Sequence, residues 1–476
     1  MKYIYSFLFL VIVQTAFAQQ VVLKKGMVTD NLIIADSTYK ETFSIYLPSY
    51  YSKEKTWSVI FILDPKGRGR IVTQLFKQTA EEQGYILAAS NNINVKNDLV
   101  ANAEVSNRLI ETVSSYFPIN QKALYVVGLN EGAVAGMALS SVRNNIKGVL
   151  AIGDYWMNSK ILKPGSGYSL IGLINYKDPD YYRLKEISSY ISKIGYPTNI
   201  YRFDEEQEYP SADLIYSGIS EFTLQRNKSN LSDTLSSNTV DPSRLFQHDI
   251  RIAENMRRQL NFYKAYQFLE VLENKYQKEQ DQDVIDELKK QIKKNKIFKE
   301  QRRRYYAAAT QEDYKITQYS YFLSEDLANV NFENLGYWSQ QMKDLKEAQE
   351  SGNIAEKELG YRLQGFLQNM AIQSYEELNK VKANKDLLVY TAILKTIFDK
   401  ESPEGYFDII AIAANDGDYP TALLYLEDLL KTGYKNMDSL YSISGTLDLK
   451  LSPEYNQLIR KYLGSAKFYN LKLNEQ

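Results

Sequence analysis

Residues 123–139, Ala-Leu-Tyr-Val-Val-Gly-Leu-Asn-Glu-Gly-Ala-Val-Ala-Gly-Met-Ala-Leu, constrain the fold of this chain more than any other stretch. The unbroken apolar run at 124–127 predicts a buried strand, and the Ala- and Met-bearing run from Ala133 predicts a helix. Only Gly128, Leu129, Asn130, Glu131 and Gly132 stand between them, so strand must pass into helix through a tight turn. Gly128 and Gly132 suit the close approach of strand and helix that such a turn imposes, because neither carries a Cβ.

The same alternation runs through the first half of the chain. Strands are predicted at 43–47, 58–63, 85–90, 124–127, 148–152, 168–175 and 198–203, and helices at 70–84, 103–116, 133–142 and 180–194. Short continuous apolar strands separated by helices imply a mostly parallel sheet with helices on both faces. Residues 226–241, rich in Ser, Asn and Thr and closed by Asp241-Pro242, read as a linker. Beyond it the pattern is helix after helix. Residues 265–277 form one such helix, and 406–415 and 421–431 form a pair around Asp416-Gly417-Asp418. The expected organisation is therefore 1–18 as a leader, 19–230 as an α/β domain, 231–245 as a linker and 246–476 as an all-α region.

The leader is read from Lys2, the apolar run 4–13 and Ala16-Phe17-Ala18, a small-x-small cleavage signal that leaves Gln19 as the mature start. That run is too short for a membrane span of about 20 residues, and nothing after it is long and apolar enough. The expectation is an exported protein, periplasmic or extracellular, with no transmembrane span once the leader is removed. A net charge of −1 gives no reason to expect nucleic acid as a partner. The chain has no Cys, which excludes disulfides and cysteine nucleophiles, and a single His, His248, which argues against His-based metal sites and most Ser-His catalysis. No cofactor and no metal is expected.

Gly128-Leu-Asn130-Glu-Gly132 has the spacing of the nucleophile elbow, Gly-x-Ser-x-Gly. Residues 59–69, Val-Ile-Phe-Ile-Leu-Asp-Pro-Lys-Gly-Arg-Gly, match the strand and glycine-bearing loop that supplies an oxyanion-hole amide in the same proteins, with Gly67 and Gly69 as its glycines. With these pieces in order, and with Tyr85-Ile-Leu-Ala-Ala-Ser-Asn-Asn92 between them, residues 21–225 resemble the α/β-hydrolase superfamily, in particular secreted bacterial dienelactone hydrolases and esterases. The resemblance implies an acidic triad member at Asp178, with Asp180 beside it, and a catalytic His near Gln207. It also implies an elbow built from Gly128, Glu131 and Gly132 with the nucleophile at 130.

The nucleophile position holds Asn130 and the His position holds Gln207. A carboxamide is a very poor nucleophile, and an acid with no imidazole to orient cannot drive acyl transfer. On a comparable triad, loss of nucleophile or base costs about 10⁶ in rate, and the remaining binding groups retain roughly 10³–10⁴ over water. No catalytic residue is therefore expected, and Asn130, Asp178 and Gln207 read as vestigial. Asn also suits positive φ, which would explain its presence if only the turn is kept. The competing reading is a nonstandard ester or amide hydrolase using Asn130, Glu131 and Asp178. A third is a binding protein for a small ligand or peptide in the vestigial pocket, where Asn130 would donate and accept hydrogen bonds.

His248 reads as a packing residue at the start of the helical region, and 204–208 (Asp-Glu-Glu-Gln-Glu) as a solvated acidic loop rather than a cation site. Nine basic residues in 289–304, with Glu300 as the acidic residue among them, predict a solvated positive face. The helical region resembles tetratricopeptide-type repeats. It implies a protein or other envelope partner, so the leading expectation is an exported, non-catalytic hydrolase-like protein acting in binding or as a scaffold.

Overall fold

The computed structural model describes residues 23–35, 38–156, 158, 162, 167–204, 209–228 and 240–468. The expected leader and its cleavage site lie outside the described residues, as does Gln207. The chain divides into two compact units, Met1–Leu150 with Phe222–Val240, and Ala151–Glu221 with Asp241–Gln476. Its fold class is a mostly parallel α/β sheet region followed by a long helical region.

The first unit contains β1 (Val28–Ile33), β2 (Thr42–Tyr46), β3 (Trp57–Leu63), α1 (Gly69–Gln83), β4 (Tyr85–Ser90), α2 (Leu99–Tyr116), β5 (Ile119–Leu129) and α3 (Glu131–Val142). β6 (Ile146–Ile152) begins in it. The strand order is β1-β2-β4-β3-β5-β6. β1 and β2 form an antiparallel edge, whereas β4, β3 and β5 run parallel, with Leu63 level with Gly128. On one face Phe61, Leu63 and Val126 pack with Val105 and Leu109 of α2 and Leu139 of α3. On the other, Tyr125 stacks on Phe222 at 4.8 Å and meets Tyr85 edge-on. A Cβ at Gly148 would lie 2.3 Å from that Phe222 ring.

The second unit contains β7 (Ser169–Asn175), α4 (Tyr181–Lys193) and β8 (Thr198–Phe203), with β7 and β8 parallel. α5 (Ala212–Lys228) starts in this unit and ends in the first. The helices that follow are α6 (Pro242–Arg258), α7 (Phe262–Lys275), α8 (Glu279–Lys294), α9 (Lys296–Asn329), α10 (Leu335–Gln349), α11 (Ile354–Lys380), α12 (Lys385–Phe398), α13 (Glu404–Asn415), α14 (Tyr419–Lys431), α15 (Met437–Ser442), α16 (Leu447–Leu451) and α17 (Pro453–Leu463). Their lengths run from 5 to 34 residues. α13 and α14 form the predicted pair, turning at Gly417 with φ 74° and packing around buried Ala422 and Leu426. Among the described residues no helix is long and apolar enough to cross a membrane.

The structure differs from the sequence reading in particular places. β1 was not expected, because a half-exposed edge strand carrying Asp30 and Asn31 has no continuous apolar run. Nor was α5: its buried residues include Ser217, Ser220, Glu221 and Thr223, which erases the amphipathic stripe that marks a helix. The linker-like stretch 226–241 starts too early, inside α5, and the 231–245 boundary ends too late, inside α6. Arg226 is a buried residue of α5 that donates to the Gln83 carbonyl at 2.9 Å, and α6 begins at Pro242 with Asp241 as its cap. The basic run spans the end of α8 and the start of α9, broken by Asn295 as the N-cap of α9. Part of its charge is met locally, by Lys289–Glu273 at 2.6 Å and the Arg304–Glu300 pair.

In the second unit the helices are tied by charges held out of water. Lys275 Nζ donates to Asp249 Oδ2 and Ser220 Oγ at 2.6 Å each and to the Ser217 carbonyl at 2.8 Å, which uses all three of its protons. Asp249 also accepts from Ser217 Oγ at 2.6 Å and Tyr276 Oη at 2.8 Å. Burial works to raise the Asp249 pKa, but Lys275, His248 and Ser217 overcome it and bring it down to about 2. This pairing joins α5, α6 and α7. Lys275→Met keeps the aliphatic stem and strands the carboxylate, so it is expected to destabilise the protein by about 3–5 kcal/mol. Adding Asp249→Asn should recover part of that loss. Urea denaturation of the three proteins checks this, and a single variant as stable as the wild type would contradict it.

Candidate functional site

The turn between β5 and α3 is a true elbow. Asn130 has φ 46° and ψ −121°, between the last strand residue and the first helical one. A Cβ at Gly128 would come within 2.3 Å of the Ala133 backbone, and one at Gly132 within 2.1 Å of the Leu63 carbonyl oxygen. Both glycines are therefore required by close backbone approach. Asn130 and Glu131 project outward and are exposed. The Asn130 side chain makes no capping hydrogen bond, while its carbonyl accepts from Ala133 N–H at 2.8 Å. The Glu131 and Gly132 amides occupy the first positions of α3, where helical N–H groups have no partner within the helix.

The backbone angles change the explanation for Asn130. Asn is tolerated in the left-handed helical region, where ψ is near +45°. At ψ −121° the residue lies outside that region, so this preference does not account for Asn here. Strain of this kind typically costs of order 1–3 kcal/mol and clusters at functional sites.

The loop after β3 is built differently from a simple amide donor. Gly67, at φ 63°, uses its N–H in a turn to the Asp64 carbonyl at 2.9 Å, and a Cβ on it would meet the Asn91 carbonyl at 2.6 Å. Its amide is thus already engaged. The Lys66 amide donates to Asp64 Oδ1 at 3.3 Å, and Pro65 has no N–H to offer. Gly69 opens α1, where a Cβ would fall 2.2 Å from Asn91 Oδ1. Buried Asp64 pairs with Arg68 at 2.8 Å, so this loop is closed by its own ion pair.

In the second unit, Asp178 follows β7 and accepts from the Asp180 amide at 2.8 Å. Burial, reinforced by the charges of Asp180 and Asp154 and only partly offset by that hydrogen bond, pushes its carboxyl up to about 6. A carboxylate paired with an imidazolium would be pulled the other way. His248 lies on α6, stacked on Tyr216 with ring centroids 4.2 Å apart, its Nε2 3.1 Å from Asp213 Oδ1. That is a packing role, as the sequence suggested. Asp204, expected in a solvated acidic loop, is bound by Lys264 Nζ at 2.6 Å; Glu206 and Glu208 lie outside the described residues. Sequence reasoning passed over Arg202 on β8 and the tyrosines around it. A lone arginine in a strand of alternating burial was the available signal.

No family model matches the sequence, and no curated protein matches it. Solved structures similar to it include esterases. They include Est1E from Butyrivibrio proteoclasticus (12% identity, covering 42% of this chain and 99% of that one, TM-score 0.33). Another is a hyperthermophilic esterase from the archaeon Pyrobaculum calidifontis (10% identity, 44% and 83% covered, TM-score 0.31). A third is a fungal esterase from Rhizomucor miehei (12% identity, 44% and 85% covered, TM-score 0.33). At such identities and scores the likeness carries no functional argument.

Two measurements follow from this geometry. If Asn130 is strained, Asn130→Gly should be more stable than Asn130→Ala by about 1 kcal/mol; equal urea midpoints would show that the turn is relaxed. For Asp178, the folded pKa of about 6 lies above the ordinary value of 3.8. The native state therefore holds a proton that the unfolded chain has released. Its stabilising contribution is full below pH about 4 and is lost as pH rises through about 6. Asp178→Asn should accordingly be more stable than the wild type at pH 8, by on the order of 1–2 kcal/mol, with the gap closing near pH 4. Parallel stability profiles for the two proteins would contradict the assignment.

Proposed function

We propose that this chain is an exported hydrolase-fold protein that has lost acyl-transfer chemistry and acts by binding, with its helical region as the surface for a partner in the bacterial envelope. The observation that carries this reading is Asn130. A side chain without a nucleophilic atom stands exposed at φ 46° on an elbow whose two flanking glycines retain their close contacts. The upward shift of Asp178 supports it, since burial and the like charges of Asp180 and Asp154 disfavour the carboxylate that would orient an imidazolium. The engaged Gly67 amide supports it too, because it leaves the loop after β3 one fewer donor for an oxyanion.

The role of the helical region is supported by α13 and α14, which form a helix pair packed around Ala422 and Leu426, and by the face of α9. There Tyr306, Tyr314 and Tyr321 are each more than 60% exposed at helical spacing. Aromatic side chains with one apolar body and one polar tip, set in a row, suit a protein partner.

The test is turnover of short-chain aryl esters by the purified mature protein beside Asn130→Ala. The expected result is no turnover above buffer for either. Turnover that disappears in Asn130→Ala would overturn the reading and make this a hydrolase with a nonstandard nucleophile position. Export is checked separately, by fractionating cells and determining the N-terminus of the protein, expected at Gln19.

A further inference from the structure

The buried cations of the second unit are matched with carboxylates. Lys275 meets Asp249, Lys264 meets both Glu358 and Asp204, and Arg362 meets Glu312, each at 2.6 Å. Arg202 on β8 is different. Its Nε donates to Tyr181 Oη at 3.0 Å and its Nη1 reaches the Ile200 carbonyl at 3.5 Å, and among the described residues no carboxylate pairs with it. Burial opposes its charge, but the facing hydroxyls of Tyr181 and Tyr176 hold its pKa above the ordinary guanidinium value. Among the described residues most of its five-donor fork has no protein acceptor.

Arg202 lines a cavity of about 110 Å³ with Tyr176, Tyr181, Tyr263 and Tyr305. The rings are arranged as walls: Tyr263 and Tyr305 stack at 4.4 Å and 19°, and Tyr176 and Tyr181 at 5.7 Å and 28°. Tyr182, Lys185, Tyr306 and Ala309 belong both to this cavity and to an open groove between α4 and α9, so the cavity has a mouth. Arg362 also lines it but is neutralised by Glu312 on Nε and Nη2.

The chemistry of these walls selects a ligand. A guanidinium with unpaired N–H groups takes a planar carboxylate bidentately. One enclosed charge balances a monoanion, whereas a phosphate dianion would enter a tyrosine-walled space with half its charge unmatched, apart from exposed Lys185 at the mouth. The cavity is well below the roughly 300–1,000 Å³ of sites for drug-sized ligands, which excludes a whole nucleotide. Flat aromatic walls favour a ring lying against them. We propose that this cavity binds a small ring-borne carboxylate, an aromatic acid or a uronate, with the carboxylate on Arg202 and the ring against the tyrosines. Every residue involved belongs to the second unit, so the inference does not rest on the reading of Asn130.

Calorimetric titration of the full-length protein tests it, with benzoate and glucuronate as probes, benzamide and glucose as neutral counterparts, and inorganic phosphate as a competing anion. At least one acid should bind, about tenfold or more tighter than its neutral counterpart and than phosphate; which acid binds tells the aromatic from the sugar source. Arg202→Gln should weaken that binding about tenfold or more, and Ala309→Phe, which fills the mouth without touching the fork, should abolish it. Both variants should keep the circular dichroism of the wild type. Binding of neither acid, equal binding of the neutral counterpart, tighter binding of phosphate, or undiminished binding by Arg202→Gln would overturn the proposal. If Arg202→Gln does not fold, Ala309→Phe decides alone, and unchanged binding by it overturns the proposal. Ester turnover dependent on Asn130 would overturn the earlier reading and leave this one standing.

Discussion

The first unit depends on one constraint, the passage from strand to helix through a single residue at Asn130. α3 can lie against β3 and β5 only because Gly132 presents no Cβ to the Leu63 carbonyl and Gly128 none to the Ala133 backbone. That approach forces residue 130 to positive φ and turns its side chain outward, whatever the side chain is. The architecture that would expose a nucleophile is thus maintained by backbone packing rather than by the nucleophile. This is why it can persist with a carboxamide in that place. The β3–β5 register, which sets Leu63 level with Gly128, follows from the same contact.

In the second unit the organising physics is electrostatic. Taking an ion out of water costs several kcal/mol unless a partner and hydrogen bonds replace its hydration. Lys275 and Asp249 meet that demand with every proton and both oxygens engaged, and the depressed pKa of Asp249 reflects it. Arg362 and Glu312 do the same between α11 and α9. Against these satisfied pairs, Arg202 stands out as a cation whose neighbours are tyrosines, and Asp178 as a carboxyl whose charged neighbours share its sign. Unbalanced groups of this kind cluster at functional sites.

Much of the α/β part was legible because its strands are short, continuous and apolar. β8 spans the predicted residues, and β3, β4 and β7 fall within a residue of prediction at each end. What escaped was structure without an apolar period. β1 is paired on one side only and carries polar residues. α5 is buried with its serines, threonine and glutamate satisfied by partners distant in sequence, such as Thr223 with Gln83 and Glu221 with Asn199. No local pattern announces such partners. The elbow was legible from two glycines. The state of the oxyanion-type loop was not, because whether the Gly67 amide is available depends on how the Asp64 turn closes.

The sequence by itself determined the order of the apolar strands and the helices between them, the elbow and the asparagine at its turn. Residue identity and periodicity are local properties, and these conclusions need nothing more. Only the tertiary structure decided the rest. It placed Asn130 outside the backbone region that asparagine favours, raised the Asp178 pKa to about 6 and matched Lys275 to Asp249. It also set Arg202 of β8 among tyrosines that follow β7 or belong to α4, α7 and α9, with no carboxylate paired to it among the described residues. Backbone strain, desolvation and charge pairing depend on which groups share a small volume, and residues far apart in the chain meet only once it has folded.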